Sequence, residues 1–430
     1  MTAPTGWTAP GWDRVADAFR QNFATRNEVG AAFTAYHRGR KVVDLWGGLA
    51  DEKTGRPWDE DTMVVVYSTT KGATALTAHL LAQRGELQMA APVSEYWPAF
   101  AQNGKDAVTV DHLMSHRAGL PWVDAEVTLE GAFAWDPVVR ALEVQAPVWE
   151  PGTAHGYHAT TYGWLVGEVV RRVSGASLGQ TFRREVAEPL GIDFYIGLPD
   201  SEEHRVASLV SIIDAIASGR ISFGSSTPDA SGGSGTGAAG APGGADQADN
   251  AYLQALAEKA MEYMAPDGPL NKALSAPSGV LADQTLWESP ELRRAEIPAA
   301  NGIGTARAVA AMYSACINEV QTDTGDKVRL LDDKQLDDAL RQRTEGPDKV
   351  LLGLDIQWGL GFMVNRGIIG AAGLGGPRSF GHFGMGGSMG WADPDAELAV
   401  SYVMNRMDIG TTGDRRAFSL ASACYEVLGS

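Results

Sequence analysis

VVVYSTTKGATALTAHLLAQRGEL, residues 64–87, sets a serine and a lysine three positions apart at the head of a long helical pattern. Leu76, Leu80, Leu81 and Leu87 recur at helical spacing, and Gly85 lies near the end. Positions i and i+3 share one helix face, about 5–6 Å apart at Cβ, so Lys71 reaches the Ser68 hydroxyl. Ser68 falls in the first turn, where unbonded backbone N–H groups and the positive dipole end favour developing negative charge. To accept a proton Lys71 must be neutral, a state that burial and nearby positive potential promote. The alternative is a capping serine beside a solvated lysine, because S-x-x-K on its own recurs by chance.

GGSMG at 386–390 offers a second serine, in the pattern G-x-S-x-G. A nucleophile elbow needs a strand, a sharp turn at the serine and then a helix. Ser388 is followed by Met-Gly-Trp-Ala-Asp-Pro and a strand-like run, AELAVSYVM, and Gly390 and Pro394 leave no room for a helix. The sequence therefore favours Ser68 and makes GGSMG a structural loop at a strand edge.

Around these motifs the chain reads as strands at both ends with helices between. Asp13 to Thr25 has helical spacing (Val15, Phe19, Phe23), and residues 29–39 and 40–48 form a hairpin turned at Arg38-Gly39-Arg40. VTVDHLMSHRAGL (108–120) reads as a short helix ended by Gly119 and Pro121, and 160–175 as a longer one closed by Gly175. Strand signals return after 355 in DIQWGLGFMV, PRSFGHFG, SMGWADP and AELAVSYVMN, before a last helix, RRAFSLASACYEVL. The expected fold class is α+β: an antiparallel sheet built from both termini and flanked by helices, with an inserted mainly helical domain. The division is 1–66 plus 350–430 for the sheet domain and 67–349 for the helical one. Within the latter, 224–250 is rich in Gly, Ser and Ala without a large apolar residue, and reads as a flexible insertion.

Two further segments keep company with Ser68 and Lys71. WEPGTAHGYHATTYGWLVGEVV (149–170) puts Tyr157 just before a helix, and a phenol beside a Ser–Lys pair can shuttle a proton to a leaving group. RSFGHFGMGGSMGWADP gives His382-Phe383-Gly384 on a strand running into glycines, where a carbonyl can come close to backbone N–H donors.

With these blocks, in this order, the chain resembles the serine β-lactamase and penicillin-binding-protein superfamily, in the branch of class C β-lactamases and family VIII carboxylesterases. The likeness rests on YSTTK at 67–71, VTVDHLMSHRAGLP, PGTAHGYHATTYGWLVGEVVRRVSG, AANGIGTARAVAAMYSA at 299–315 and the His-Phe-Gly segment. It implies Ser68 as acylated nucleophile, Lys71 as its proton partner, Tyr157 as a second acid/base group, and an oxyanion hole from the N–H groups of Ser68 and Met385. His382, Gly384, Trp391 and Tyr67 are the candidates for substrate contact, Trp391 because it closely follows the oxyanion strand. Trp149 and Trp358 are further candidates for the pocket wall.

Two departures from the family pattern bear on substrate. Where the family has Tyr-x-Asn, this chain has Tyr157-His158-Ala159, without the amide that holds a β-lactam's side chain. Where Lys-Thr-Gly is common, it has His382-Phe383-Gly384, and a mostly neutral histidine binds an antibiotic's carboxylate poorly. The expectation is an ester hydrolase, with short acyl chains, acting without metal or organic cofactor on a small-molecule ester. Amide hydrolysis (β-lactamase, or D-amino-acid peptidase or amidase), acyl transfer and a non-catalytic penicillin-recognition module are the alternatives.

Net charge of −18 argues against nucleic acid and anionic membrane surfaces as partners. No secretory signal is visible, and no apolar segment approaches the roughly 20 residues of a membrane span, so the default location is cytoplasmic. Oligomeric state is left open. Cys316 and Cys424 read as buried thiols. His112 and His116, at i and i+4, lack the glutamate of an H-E-x-x-H site and read as capping and packing residues, whereas His155 and His158 read as loop histidines at a pocket rim.

Overall fold

The hairpin at Arg38-Gly39 forms because both central residues accept a left-handed backbone, with φ of 53° and 71°, the geometry of a type I′ turn. It joins strands β2 (Gly30–His37) and β3 (Arg40–Asp51) at the heart of the sheet. A computed structural model describes residues 4–211, 262–322, 324–408 and 413–429; the 224–250 insertion lies outside them. On the outer side of β3 run β1 (Thr5–Thr8) and the short β4 (Arg56–Pro57). A separate small sheet joins β5 (Val64–Val65), β6 (Phe194–Tyr195) and β7 (Ile303–Gly304). The C-terminal part of the chain adds β8 (Met363–Val364), β9 (Phe380–Phe383), β10 (Met389–Asp393) and β11 (Leu398–Met404). The main sheet runs β1-β3-β2-β11-β10-β9-β8, with every pair antiparallel. It is thus built from both ends of the chain, as the order of sequence signals implies.

Both faces of the sheet are covered, and side chains alternate between two cores. Phe33, Phe383, Met389, Trp391 and Val400 face one core, shared with helices α1 (Asp13–Thr25) and α6 (Arg415–Leu428). Phe380, Ala392, Ala399 and Val403 face the other, shared with the helical part of the molecule. There α5 (Ala306–Ile317) lies so close that a Cβ on Gly390 would sit 2.3 Å from the Tyr313 ring. Helix α2 (Thr70–Gln83) is buried from Thr70 through Leu81, which explains its small residues: a Cβ on Gly72 would lie 2.2 Å from the Tyr313 hydroxyl. Helix α4 (Thr161–Ser174) stops where Gly175 turns left-handed at φ 72°.

Two sequence expectations need correction. Of DIQWGLGFMV only Met363–Val364 is strand, because Leu360 and Gly361 send their N–H groups to Ala339 and Met114 carbonyls instead of a ladder. The helix expected over 108–120 is only α3 (Val110–Met114), capped by Thr109. His116, at φ 59°, already turns the chain away before Gly119. Cys316 and Cys424 are both buried and free. Among the described residues no helix is long and apolar enough to cross a membrane.

Candidate active site

Ser68 sits on a single 3₁₀ turn, Tyr67–Thr69, that links β5 to α2. The turn is sharp: Tyr67 holds φ 45°, a region costly for a residue with a Cβ. Thr70 secures it by donating to the Tyr67 carbonyl (2.5 Å) and accepting from Gly302 N–H (2.8 Å). This locks the helix start to the 299–304 segment.

Lys71 is fully buried, and its Nζ makes three contacts: Ser68 Oγ at 3.0 Å, Ala159 O at 2.6 Å and Ala299 O at 2.9 Å. Burial pushes its pKa well below the ordinary lysine value. A neutral amine has two hydrogens and one lone pair. In that state the two carbonyls would take the hydrogens and the lone pair would be left for the Ser68 hydroxyl, the arrangement a base needs.

Tyr157 closes the other side of the lysine, its ring centroid 4.7 Å from Nζ, with its phenol on the side of Ser68. Burial raises the phenol's pKa, so it is protonated at neutral pH and available as a donor. Its backbone N–H donates to Asp348 Oδ1 (3.0 Å), and its ring stacks on Trp358 at 5.5 Å. The preceding loop is fastened by histidines. His158 N–H donates to His116 Nδ1 (3.1 Å), and His158 Nε2 accepts from Leu120 N–H (2.9 Å). Its other nitrogen therefore carries the hydrogen and donates to Gly156 O at 2.7 Å. His158 is fully buried, with its pKa lowered to about 3 first by that burial. The expectation of rim histidines is thereby corrected: His155 and His158 lie inside, and His158 is a neutral brace.

The 384–388 connection between β9 and β10 runs alongside Ser68. Ser388 does not face the cavity; its hydroxyl donates to Val66 O (2.7 Å) and meets Thr69 Oγ1 at 3.0 Å, pinning the connection to the Ser68 turn. Among the described residues the N–H groups of Ser68 and Met385 have no acceptor, and both residues line the same cavity. A Cβ on Gly384 would fall 2.1 Å from Ser388 Oγ and 2.2 Å from Val66 O. Gly384→Ala must therefore spread the connection from the serine turn. We expect kcat to fall by at least about tenfold with an unchanged circular dichroism spectrum; steady-state kinetics checks it, and wild-type turnover would count against the packing argument.

The cavity at Ser68 holds about 370 Å³. Tyr67 and Met385 line it beside the serine, and Leu270, Leu274, Leu281, Trp287, Ala300 and Leu352 supply apolar wall. Three expected contacts fall elsewhere. Trp391 is buried on the opposite face of the sheet, stacked on Phe383 at 5.4 Å with its indole N–H on Leu374 O (3.1 Å). It alternates out of register with His382, which pairs with Gly390. His382 is itself buried, 6.1 Å from the Tyr157 ring, with burial lowering its pKa to about 3, and Gly384 is wedged between Ser388 and Val66. Trp358 lies behind Tyr157, and Trp149 packs edge-on against His158. Sequence reasoning missed the wall from 270 to 300, whose only signal was scattered apolar residues after the low-complexity insertion.

A sheet from both termini, a helical body, and a serine and a buried lysine on the first turns of a buried helix define the serine β-lactamase and penicillin-binding-protein class. The family model described as "Beta-lactamase" matches residues 15–424, and the chain belongs to that family. It is 35% identical to "Esterase/beta-lactamase LipL" of Mycobacterium tuberculosis over 94% of this chain and 83% of that protein. It is 32% identical to "Esterase EstB" of Burkholderia gladioli over 42% of this chain and 50% of that one. Among solved structures, a family VIII carboxylesterase matches with a TM-score of 0.78 and 36% identity, covering 99% of both chains. A penicillin-binding-protein homologue from Caulobacter crescentus matches equally well at 35% identity.

Proposed function

We propose that the protein hydrolyses neutral carboxylic esters of short acyl chains through an acyl-serine intermediate. The observation that carries this is the cavity: its described lining opens on Ser68, is mostly apolar, and contains no lysine, arginine, histidine or carboxylate. A substrate carboxylate, as in a β-lactam, would enter it without a counter-charge, which is costly in an apolar site. The relatives named as esterases support the same reading.

Ser68 Oγ attacks the ester carbonyl carbon as its proton passes to the Lys71 lone pair. The carbonyl oxygen becomes an oxyanion held by the N–H groups of Ser68 and Met385. As the C–O bond to the alcohol breaks, Tyr157 gives its phenolic proton to the leaving alkoxide and recovers one from the Lys71 ammonium. Water then attacks the acyl-serine with Lys71 and Tyr157 as its base, and Ser68 is reprotonated on release of the acid.

β-Lactam hydrolysis is the second reading, because the relative from M. tuberculosis carries both activities in its name. The test compares kcat/KM for p-nitrophenyl butyrate, a chromogenic cephalosporin and a D-amino-acid amide. We expect the ester to lead by at least about 100-fold, because the apolar lining offers a charged substrate no partner. A faster cephalosporin or amide would replace the esterase reading, and an acyl adduct that never turns over would favour a binding module.

A further inference from the structure

Arg416, at the start of α6, is 1% exposed, yet it lies on the far side of the sheet from the helical core and touches no substrate space. Its guanidinium is held on every edge. Nη1 donates to Glu28 Oε1 at 2.9 Å, while Nε and Nη2 reach Asp414 at 3.0 and 2.5 Å. Tyr402 donates its hydroxyl to the other Glu28 oxygen. Nη2 also reaches two backbone carbonyls, Arg406 O at 3.0 Å and Gly386 O at 3.0 Å.

Gly386 directly follows Met385. Gly386 and Gly387 hold φ of 86° and 123°, conformations that only glycine enters freely; Gly387 N–H turns back to Gly384 O (3.1 Å), and the Gly386 carbonyl that Arg416 meets also accepts from Asp408 N–H (3.0 Å). Asp414 fills the space a side chain at Gly387 would need, its Oδ2 2.4 Å from that Cβ position. The connection is thus gripped twice from the α6 side, by Arg416 on the Gly386 carbonyl and by Asp414 against Gly387. On the Ser68 side Ser388 ties it by its side chain, to Val66 O and to Thr69 Oγ1. A buried ionic cluster of this kind is a weak source of stability, since desolvation offsets its attraction, but it fixes geometry well.

We propose that Arg416, with Glu28 and Asp414 orienting it, is a positioning residue that sets the Met385 N–H for the oxyanion. The inference rests on the acyl-serine reading. Arg416 acts on the transition state through the Gly386 carbonyl and makes no contact with the ester, so its loss lowers kcat and leaves KM unchanged.

The experiment uses the full chain with two conservative variants. Arg416→Lys keeps the charge and loses the fork, and Asp414→Asn keeps the cap of α6 and loosens the grip. Each is assayed on p-nitrophenyl butyrate and titrated with butylboronic acid, whose tetrahedral serine adduct places an oxygen where the oxyanion forms. We expect kcat to fall about 10- to 100-fold, part of what losing one oxyanion donor costs. Boronate affinity should fall by a similar factor, with KM and the circular dichroism spectrum unchanged. Variants with a lowered melting temperature but wild-type kcat and boronate affinity would overturn the proposal and leave Arg416 a structural residue. If the wild type hydrolyses the ester but boronate does not modify Ser68, the acyl-serine reading fails first and the proposal falls with it. If both variants retain wild-type boronate affinity while wild type binds boronate at Ser68, only the positioning role is lost.

Discussion

Ser68→Ala should lower turnover of p-nitrophenyl butyrate by about 10⁴- to 10⁶-fold, the loss typical when a nucleophile is removed from a preorganised site. Ser388→Ala should stay within about tenfold of wild type. The difference follows from placement. Ser68 is in hydrogen-bond reach of the Lys71 amine and opens on the cavity, whereas Ser388 is 1% exposed and spends its hydroxyl on Val66 O and Thr69. Removing Ser388 Oγ deletes two buried hydrogen bonds, but Val66 O still accepts from Thr69 N–H. The expected cost is therefore about 1–3 kcal/mol of stability. Initial rates on the two folded variants, with urea melts beside them, check both halves. A dead Ser388→Ala with an active Ser68→Ala would overturn the proton route as well as the choice of serine.

What the sequence disclosed was local chemistry and order; what it hid was which face a side chain takes. The hairpin at Arg38-Gly39 and the stop at Gly175 were legible because a left-handed backbone favours glycine at particular places. Ser68 and Lys71 were legible because a helix maps i and i+3 onto one face, and the structure brings their side chains together. Trp391 was misjudged for an equally physical reason. In a sheet buried on both faces, alternate positions are equally apolar, so composition cannot say whether His382 or Trp391 points toward the helical body. Only the register, with Gly381 opposite Trp391 and His382 opposite Gly390, decides it. The run from 355 to 362 was misread because apolar residues with glycines look alike in a buried strand and a buried loop; Gly359 and Gly361 are there for close approach to Ala339 O and Ala75. The cavity wall comes from segments whose apolar residues carry no pattern of their own, and their function lies in where the chain returns.

Lys71→Met should separate the role of this lysine in chemistry from its effect on folding. Removing the base should lower kcat by about 10²- to 10⁴-fold, the usual worth of a positioned general base. The effect on stability depends on pH, and its sign is fixed. In the unfolded chain the lysine keeps its proton up to the ordinary value of 10.5, while in the folded protein burial holds its pKa well below that. Between the two values the unfolded state binds one proton more, so wild-type stability rises with pH across that window and stops rising above it. One proton corresponds to about 1.4 kcal/mol per pH unit. Methionine does not titrate. It leaves Ala159 O and Ala299 O without their Lys71 donor, a cost that is the same at every pH. The wild type should therefore gain on Lys71→Met as pH rises from the folded-state pKa toward 10.5, by up to about 1.4 kcal/mol for each unit in that window, with all other groups cancelling in the difference. Urea unfolding of both proteins at unit steps of pH measures it. Parallel curves would mean that Lys71 keeps its proton in the folded state, and a lysine that keeps its proton cannot take the one from Ser68.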